Sequence, residues 1–512
     1  MLYIDFLDRG VARFPDRVLI TDEETSLTYR QFADRVDAIA SALIAAGLPP
    51  DSRIGIYSPN AINAYAAEYG ALRAGCIWVP LNYRLPGPGA AEMADALDIE
   101  WLFYHSSLGD GVAAIRANCR RIRGMVALDT ELESWAAAAP RLTQFPLRKS
   151  SDTAAYLSTS GTTGRSKGIV HSNRAFATMV ASFDIAVPQG DNPVHLVVAP
   201  LSHAAGIYGS CLLHHGATNV LLKSTDPGAI LAAIERHKVT TLFLPPTIIY
   251  MMLGHPDLHK YDYSSLRSML YGAAPMAEHK LREALQIFGP VMTQLFGQSE
   301  ALMMIGFMSP AEHLEALNDP AKSRRLFAVG REGPMVRIEI LRDDGSFAGP
   351  DERGEIVLRS DIVMDRYYND PAATAEAQAG GWHHTGDIGT RDADGYIYIV
   401  DRKKELIISG GFNIFPGEVE QVLMTHEAVQ DCAVVGIPDD KWGEAVMAAI
   451  ELRPGMAVDG PALIALCKAS LGSMKAPKSV IFMDRLPRSA NGKVLRREVR
   501  APYWAGRNRA VG

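Results

Sequence analysis

Cysteine is scarce in this 512-residue chain: Cys76, Cys119, Cys211, Cys432 and Cys467 stand singly, with no C-x-x-C spacing. That excludes a zinc ribbon or a disulfide framework and suits a reducing compartment. An excess of one charge is also lacking, since 51 Lys and Arg against 58 Asp and Glu leave a formal charge of −7. Nothing global draws a nucleic-acid backbone or an anionic membrane, so any bound anion must be held by a local site. Long apolar spans are missing too. The opening MLYIDFLDRG carries Asp5 and Asp8 where a signal peptide needs a basic patch and an apolar run. The longest stretch without Asp, Glu, Lys or Arg, 192–222, contains Pro193, Pro200 and four histidines, which would break a bilayer-spanning helix. A soluble, cytoplasmic protein with no transmembrane segment is expected. What is present is an ordinary globular composition, 48% hydrophobic and 21% charged. At ~150 residues per domain the length suggests roughly three domains.

Between residues 191 and 296, short apolar runs alternate with helical stretches. HLVVAP (195–200), TNVLLK (218–223), TTLFLP (240–245), SMLYG (268–272) and VMTQLFG (291–297) are too short and β-rich for helices and predict buried strands. DPGAILAAIERHK and AEHKLREALQIFG place apolar residues three and four apart, as amphipathic helices require. This alternation predicts a mostly parallel sheet with helices on its faces. Near the N-terminus, LTYRQFADRVDAIASALIAAG, a helix ended by Gly47, and the strand RIGIYSP repeat the style. After Gly330 the texture changes: VRIEILRDDGS and GEIVLRS alternate apolar and polar residues around an Asp-Gly turn, which predicts antiparallel strands. The fold expected is α/β. A large N-terminal domain, 1–402, holds doubly wound, mostly parallel sheets and a β-rich subdomain; a small α+β domain, 403–512, follows the charged stretch 401–405.

Residues 156–170 read YLSTSGTTGRSKGIV. An apolar strand runs into a loop in which Ser158, Thr159, Ser160, Thr162 and Thr163 supply hydroxyls and Lys167 a point charge, while Gly161, Gly164 and Gly168 free the backbone. Such a loop suits a polyphosphate. It is not a Walker A loop, because Gly168 stands where Ser or Thr should follow the lysine, and no Rossmann G-x-G-x-x-G occurs in the chain.

STSGTTGRSKG resembles the signature of the adenylate-forming superfamily, which comprises acyl- and aryl-CoA ligases, peptide-synthetase adenylation domains and luciferases. PLSHAAG (200–206), YGAAP (271–275), QLFGQSE (294–300), GWHHTGD (381–387), DGYIYIVDRKKELIISGGFNIFPGEVE (394–420) and PRSANGK (487–493) match further family motifs in order. The resemblance implies an AMP-forming acid–CoA ligase: a carboxylate and ATP give acyl-AMP and pyrophosphate, and the acyl group then passes to the thiol of coenzyme A. It implies that the Ser/Thr loop, Ser158–Gly164 with Lys167, holds the outer phosphates, and that Glu300 binds Mg2+, a hard cation that prefers oxygen. Phe296 on one side and Gly272, Ala273 and Ala274 on the other would bracket the adenine, with Gly297 and Ser299 in the same ATP/AMP site. The family usually has Tyr and Thr where Phe296 and Ser299 stand; stacking survives the first change and a hydroxyl the second. Asp387, with Arg402 beside it, would hold the ribose. Lys493 would bridge the substrate carboxylate and the α-phosphate, offsetting transition-state charge. By residues alone a lysine in an Asn-Gly-Lys turn reads as solvated, and only the resemblance gives it this role. Lys404 matches the hinge about which the small, mobile domain rotates between half-reactions. Ser409, Gly410 and Gly411 would then line the pantetheine path, although a Gly-Gly pair reads equally well as a turn. His203 matches the gate beside the acyl pocket.

The segments expected to line that pocket carry Tyr208, Phe243, Thr247, Met303 and Met304 and, Glu300 apart, no charged side chain. A dicarboxylate would need a second cation and an amino acid a carboxylate, so an apolar aromatic or aliphatic acid is expected. Alternatives are an acyl-AMP ligase that loads a carrier protein, and a non-catalytic ATP-binding descendant. No carrier domain follows Gly512, which favours free CoA, and Glu300, Asp387, Arg402 and Lys493 all persist, which favours catalysis. PRSANGK also resembles the context in which bacterial acyl-CoA synthetases are acetylated on this lysine, so a protein acetyltransferase is an expected partner. A homodimer is among the assembly states the resemblance allows.

Overall fold

The structure is a computed structural model that describes residues 1–158, 167–274, 276–488 and 494–505. By internal packing the chain forms two compact units. The first is Met1–Arg337 with Leu358–His383, and the second is Ile338–Val357 with His384–Gly512. The boundary expected at 402/403 falls inside the second unit.

The first unit contains two large sheets. One has nine strands in the order Arg331–Glu332, Ala301–Met308, Met292–Gln298, Ser268–Tyr271, Thr241–Leu244, Val194–Val197, Thr218–Leu221, Val18–Thr21, Ser26–Thr28. Its six central strands, from Met292–Gln298 to Val18–Thr21, run parallel, and the edges are antiparallel. The other has seven strands, Arg366–Tyr367, Gly168–Ser172, Thr153–Ser158, Ile77–Leu81, Arg53–Tyr57, Trp101–Tyr104, Gly124–Ala127, parallel from Thr153–Ser158 onward. Strands buried on both faces explain the unbroken apolar runs. Helices start where local chemistry directs. Thr28 and Gln31 form a capping box at Tyr29–Ala45, and Asp226 caps Pro227–Arg236, with Pro227 in its first turn. The uncharged segment 192–222 folds as strand, helix, turn and strand, its two strands being neighbours in the nine-stranded sheet, and among the described residues no helix is long and apolar enough to cross a membrane.

The second unit holds a four-stranded sheet, Arg337–Leu341, Gly354–Arg359, His383–Arg391, Ile397–Arg402, and a five-stranded sheet built on the long antiparallel pair Val429–Asp439 and Gly443–Leu452. Its core gathers Ile407, Ile414, Val419, Val434 and Ile450. All five cysteines are buried thiols.

Candidate functional site

In an open α/β sheet, ligand-binding residues collect beyond the carboxyl ends of parallel strands, where loops are free of the ladder. Several predicted residues of the first unit lie there, whereas Phe243, Phe296, Gly297, Met303 and Met304 lie within strands and Tyr208 in the helix Ala204–Cys211. Ser158 ends Thr153–Ser158, His203 follows Val194–Val197, and Thr247 follows Thr241–Leu244. Gly272, Ala273 and Ala274 follow Ser268–Tyr271, and Ser299 and Glu300 follow Met292–Gln298. Thr159, Ser160, Gly161, Thr162, Thr163 and Gly164 lie outside the described residues.

Glu300 is half-buried, and its Oε1 accepts a hydrogen bond of 2.9 Å from the Tyr367 hydroxyl, leaving Oε2 without a partner among the described residues. Burial and the adjacent Glu300 carboxylate push the Tyr367 hydroxyl well above its usual range, so it stays a donor. Lys167 lies 4.9 Å from the centre of the Tyr367 ring and 3.3 Å from the Asp370 carboxylate. The lysine at the end of the hydroxyl loop and the acid after the QLFG strand are thus joined through one tyrosine. The turn that carries Glu300 is fixed from two sides: Met364 N–H donates to its carbonyl at 2.7 Å, and His171 Nε2 donates to the Ser299 carbonyl at 2.7 Å. Burial lowers His171 to about 4, so the ring is neutral and the carbonyl fixes its tautomer. A carboxylate with one oxygen held and the other open is a fitting ligand for a hard cation.

Phe296 is buried beside a strand irregularity between Phe296 and Gln298 that re-aims the chain next to the turn. Across from it, Ala273 is exposed at φ +66°, a conformation costly for a residue with a Cβ and common at binding sites. Tyr271 holds this strand end by donating to His313 Nε2 at 2.8 Å, while His313 Nδ1 donates to the Ser309 carbonyl. Met303, Phe243, Tyr208 and Met304 are buried. The Tyr208 and Thr241 hydroxyls are 2.7 Å apart, so Tyr208 spends its polar end in the core, whereas Thr247 is half-buried.

His203 is half-buried, with Nδ1 2.9 Å from the Ser202 hydroxyl; burial, aided by Arg84, lowers it to about 4. Asn60 pins its loop, accepting from Leu201 N–H and donating to the Ala199 carbonyl. Beneath it lies a cavity of about 20 Å³, room for one water, with Glu68, Ser58, Trp78 and Ser202 in its wall. Glu68 is 3% exposed and its Oε1 has no hydrogen-bond partner; burial raises the carboxyl well above the usual range. Raising an acid in the fold withdraws stability as pH climbs past the unfolded value, about 4.3. Glu68→Gln is therefore expected to match the parent at pH 4 and to be more stable at pH 7.5, by about 1.4 kcal/mol for each unit by which burial raises the carboxyl, up to the working pH. Urea unfolding at the two pH values measures this, and a difference independent of pH would show that Glu68 is ionised in the fold.

In the second unit, Asp387 and Arg402 are direct cross-strand neighbours, with Arg402 Nε 2.6 Å from the buried Asp387 carboxylate. Glu355 organises the flanking segments, accepting from His384 Nδ1, Gly386 N–H and Lys403 Nζ. Burial would raise Glu355, but these bonds outweigh it and hold the carboxyl below its usual range. Lys404 lies in the 3₁₀ turn Lys403–Glu405, and its side chain is outside the described residues. Gly410 (φ +58°) and Gly411 (φ +80°) form the two-residue turn of the hairpin Ile407–Ser409 and Phe412–Ile414. Positive φ at both positions is what a type I′ turn demands, so the turn alone explains the pair. A Cβ at Gly410 would also fall 2.5 Å from the Trp442 ring. Lys493 lies outside the described residues, but its segment is closed at the base by Arg488 pairing with Val494 and by Leu495 N–H donating to the Pro487 carbonyl.

Sequence reasoning passed over Tyr367, His171, Glu355 and Arg496. The half-buried Arg496 guanidinium reaches Glu420, Asp401 and Glu405 and ties down the charged segment from far along the chain.

Residues 7–368 match the family described as AMP-binding enzyme, and residues 418–493 match the AMP-binding enzyme C-terminal domain. The chain belongs to this family. It is 35% identical to a feruloyl-CoA synthase of Amycolatopsis sp over 97% of its own length and 98% of that protein. It is 39% identical to the medium/long-chain-fatty-acid–CoA ligase FadD8 of Mycobacterium tuberculosis over 69% of its length, a match spanning 62% of that protein. Among solved structures it resembles the amide bond synthetase McbA from Marinactinospora thermotolerans, with TM-score 0.89, 30% identity, and 98% and 100% of the two chains covered.

Proposed function

We propose that the chain is an AMP-forming acid–CoA ligase for an apolar carboxylic acid, aromatic or medium- to long-chain aliphatic. The acid and ATP give acyl-AMP and pyrophosphate, and the acyl group then passes to coenzyme A with release of AMP. The observation that carries this reading is the convergence of Lys167, Tyr367 and Glu300 beyond the carboxyl ends of parallel strands in a chain of the AMP-binding family. Relatives named for ferulate and for fatty acids, together with pocket segments free of charge, support an apolar acid.

Glu300 is the residue that would hold Mg2+, which when bound neutralises phosphate charge. The hydroxyl loop with Lys167 cradles the outer phosphates, Phe296 and the turn Gly272, Ala273, Ala274 bracket the adenine, and Asp387 accepts from the ribose with Arg402 beside it. Lys493 offsets charge as the carboxylate attacks the α-phosphate. Rotation about Lys404 then withdraws Lys493 and brings Ser409, Gly410 and Gly411 to the acyl-AMP, with a neutral His203 at the gate. Acetylation of Lys493 would remove its charge and stop the first half-reaction alone.

Incubation with ATP, Mg2+ and a panel of benzoic, cinnamic and fatty acids is expected to release pyrophosphate and AMP, with thioester formed when CoA is added. ADP and phosphate as products would overturn the reading. Because McbA is named for amide-bond synthesis, parallel reactions with an amine and with a holo carrier protein test the acceptor directly. Faster acyl transfer to either than to CoA would replace the thiol assigned here.

A further inference from the structure

Away from the strand ends, Asp184 near the end of the helix Asn173–Ala186 meets His214 and His215 of the 3₁₀ turn Leu213–His215. His214 Nε2 lies 2.8 Å from one Asp184 oxygen and His215 Nε2 2.8 Å from the other, with the two rings 4.1 Å apart. Both imidazoles therefore aim the same nitrogen at one carboxylate, and the three donor atoms lie within 4.8 Å of one another. Among the described residues no other group of three such side chains converges in this way. The adenylation and thioester chemistry uses none of them.

We propose that Asp184, His214 and His215 form a binding site for a first-row divalent transition cation, with Zn2+ the best match to its two imidazoles and one carboxylate. Two nitrogens and one oxygen leave a fourth, water-filled position, the pattern of an open zinc centre rather than of magnesium or calcium, which take oxygen. Metal–ligand bonds of about 2.0–2.2 Å set donors of a tetrahedron roughly 3.3 Å apart. Each histidine Nε2 now lies 2.8 Å from an Asp184 oxygen and all three donors lie within 4.8 Å of one another, so small side-chain rotations bring them to that spacing. Access is open on one side, since the Asp184 and His215 side chains are 36% and 31% exposed.

Each ring now carries its proton on Nε2 and must move it to Nδ1 to ligate. On His215, which is partly exposed, the Nδ1–H can then donate to water. His214 Nδ1 is buried without a partner, so ligation there leaves a dry donor and weakens the affinity by about 10–100-fold. What the ion would do follows from the elements it joins. His214 packs on Phe6, and Arg13 donates to its carbonyl, so the cation would clamp the N-terminal helix Asp5–Arg13 and the turn to the end of Asn173–Ala186.

The test uses full-length, untagged protein stripped with a chelator. Calorimetry at pH 7.5 is expected to give one Zn2+ per chain, and Co2+ to give visible ligand-field bands. Asp184→Asn and His215→Ala, checked for folding by circular dichroism, are expected to weaken Zn2+ binding at least tenfold and abolish the cobalt bands. Zn2+ should raise the unfolding temperature of the parent and of neither variant. Binding of equal strength in Asp184→Asn, or no binding to the parent, would overturn the site.

Discussion

Replacing Lys493 by alanine is expected to slow acyl-AMP formation by about a hundredfold or more, the scale of deleting a preorganised transition-state charge, while transfer from supplied acyl-AMP to CoA stays near its normal rate. The reason is geometric as well as electrostatic. An ammonium on a four-carbon stem can touch two anions at once, and on the proposed rotation it would leave them before the thiol attacks. Lys493→Arg keeps the charge but replaces a compact donor with a planar fork, so it should rescue adenylation only partly. The residues that close the base of the segment set a further control. Arg488 joins Asp431 at 2.8 Å and Glu451 at 3.0 Å, so Arg488→Leu would loosen the segment without touching the lysine and should lower adenylation less than Lys493→Ala does. Pyrophosphate release measures the first half-reaction, and thioester formation from synthetic acyl-AMP measures the second. An equal fall in both would reject the division of labour between Lys493 and the hinge at Lys404.

The order of strands and helices was legible because buried parallel strands must be short continuous apolar runs and their flanking helices must be amphipathic. Thr241–Leu244 and Ser268–Tyr271 fall within the runs that predicted them, and the helix Glu278–Phe288 follows its periodicity. The partners of those elements were not legible, because pairing across a sheet depends on contacts remote in sequence. Tyr367 is separated from Glu300 by 67 residues, and nothing in its neighbourhood marks it as more than an aromatic on a short edge strand. Arg402 is different. Its nearness to Asp387 was implied by resemblance alone, and antiparallel register provides the physical reason, setting the two directly opposite. Glu68 illustrates a third kind of gap. A single acid in the helix INAYAAEYGALR looks like a solvated position, and only the fold shows it sealed beneath the His203 loop.

Glu300→Gln is expected to lower the adenylation rate by about 10²–10³-fold at every Mg2+ concentration, since the amide keeps the shape and loses the anionic ligand. Tyr367→Phe should behave differently. It leaves the carboxylate in place and removes the 2.9 Å bond that orients Oε1. A hydrogen bond to a charged group is worth about 1.5–3 kcal/mol, so losing it should raise the Mg2+ concentration needed for half-maximal rate by about tenfold or more. At saturating Mg2+ the rate should largely recover, because the metal itself then orients the ligand. The double variant should resemble Glu300→Gln alone: once the anion is gone, the tyrosine has nothing to position, and the two effects cannot add. Initial rates of pyrophosphate release across a Mg2+ titration distinguish these outcomes, with thermal unfolding to confirm that each variant is folded. Full activity in Glu300→Gln would reduce that carboxylate to a structural hydrogen-bond acceptor. An unshifted Mg2+ curve in Tyr367→Phe would leave Tyr367 as packing for Lys167, whose ammonium lies 4.9 Å from the ring centre.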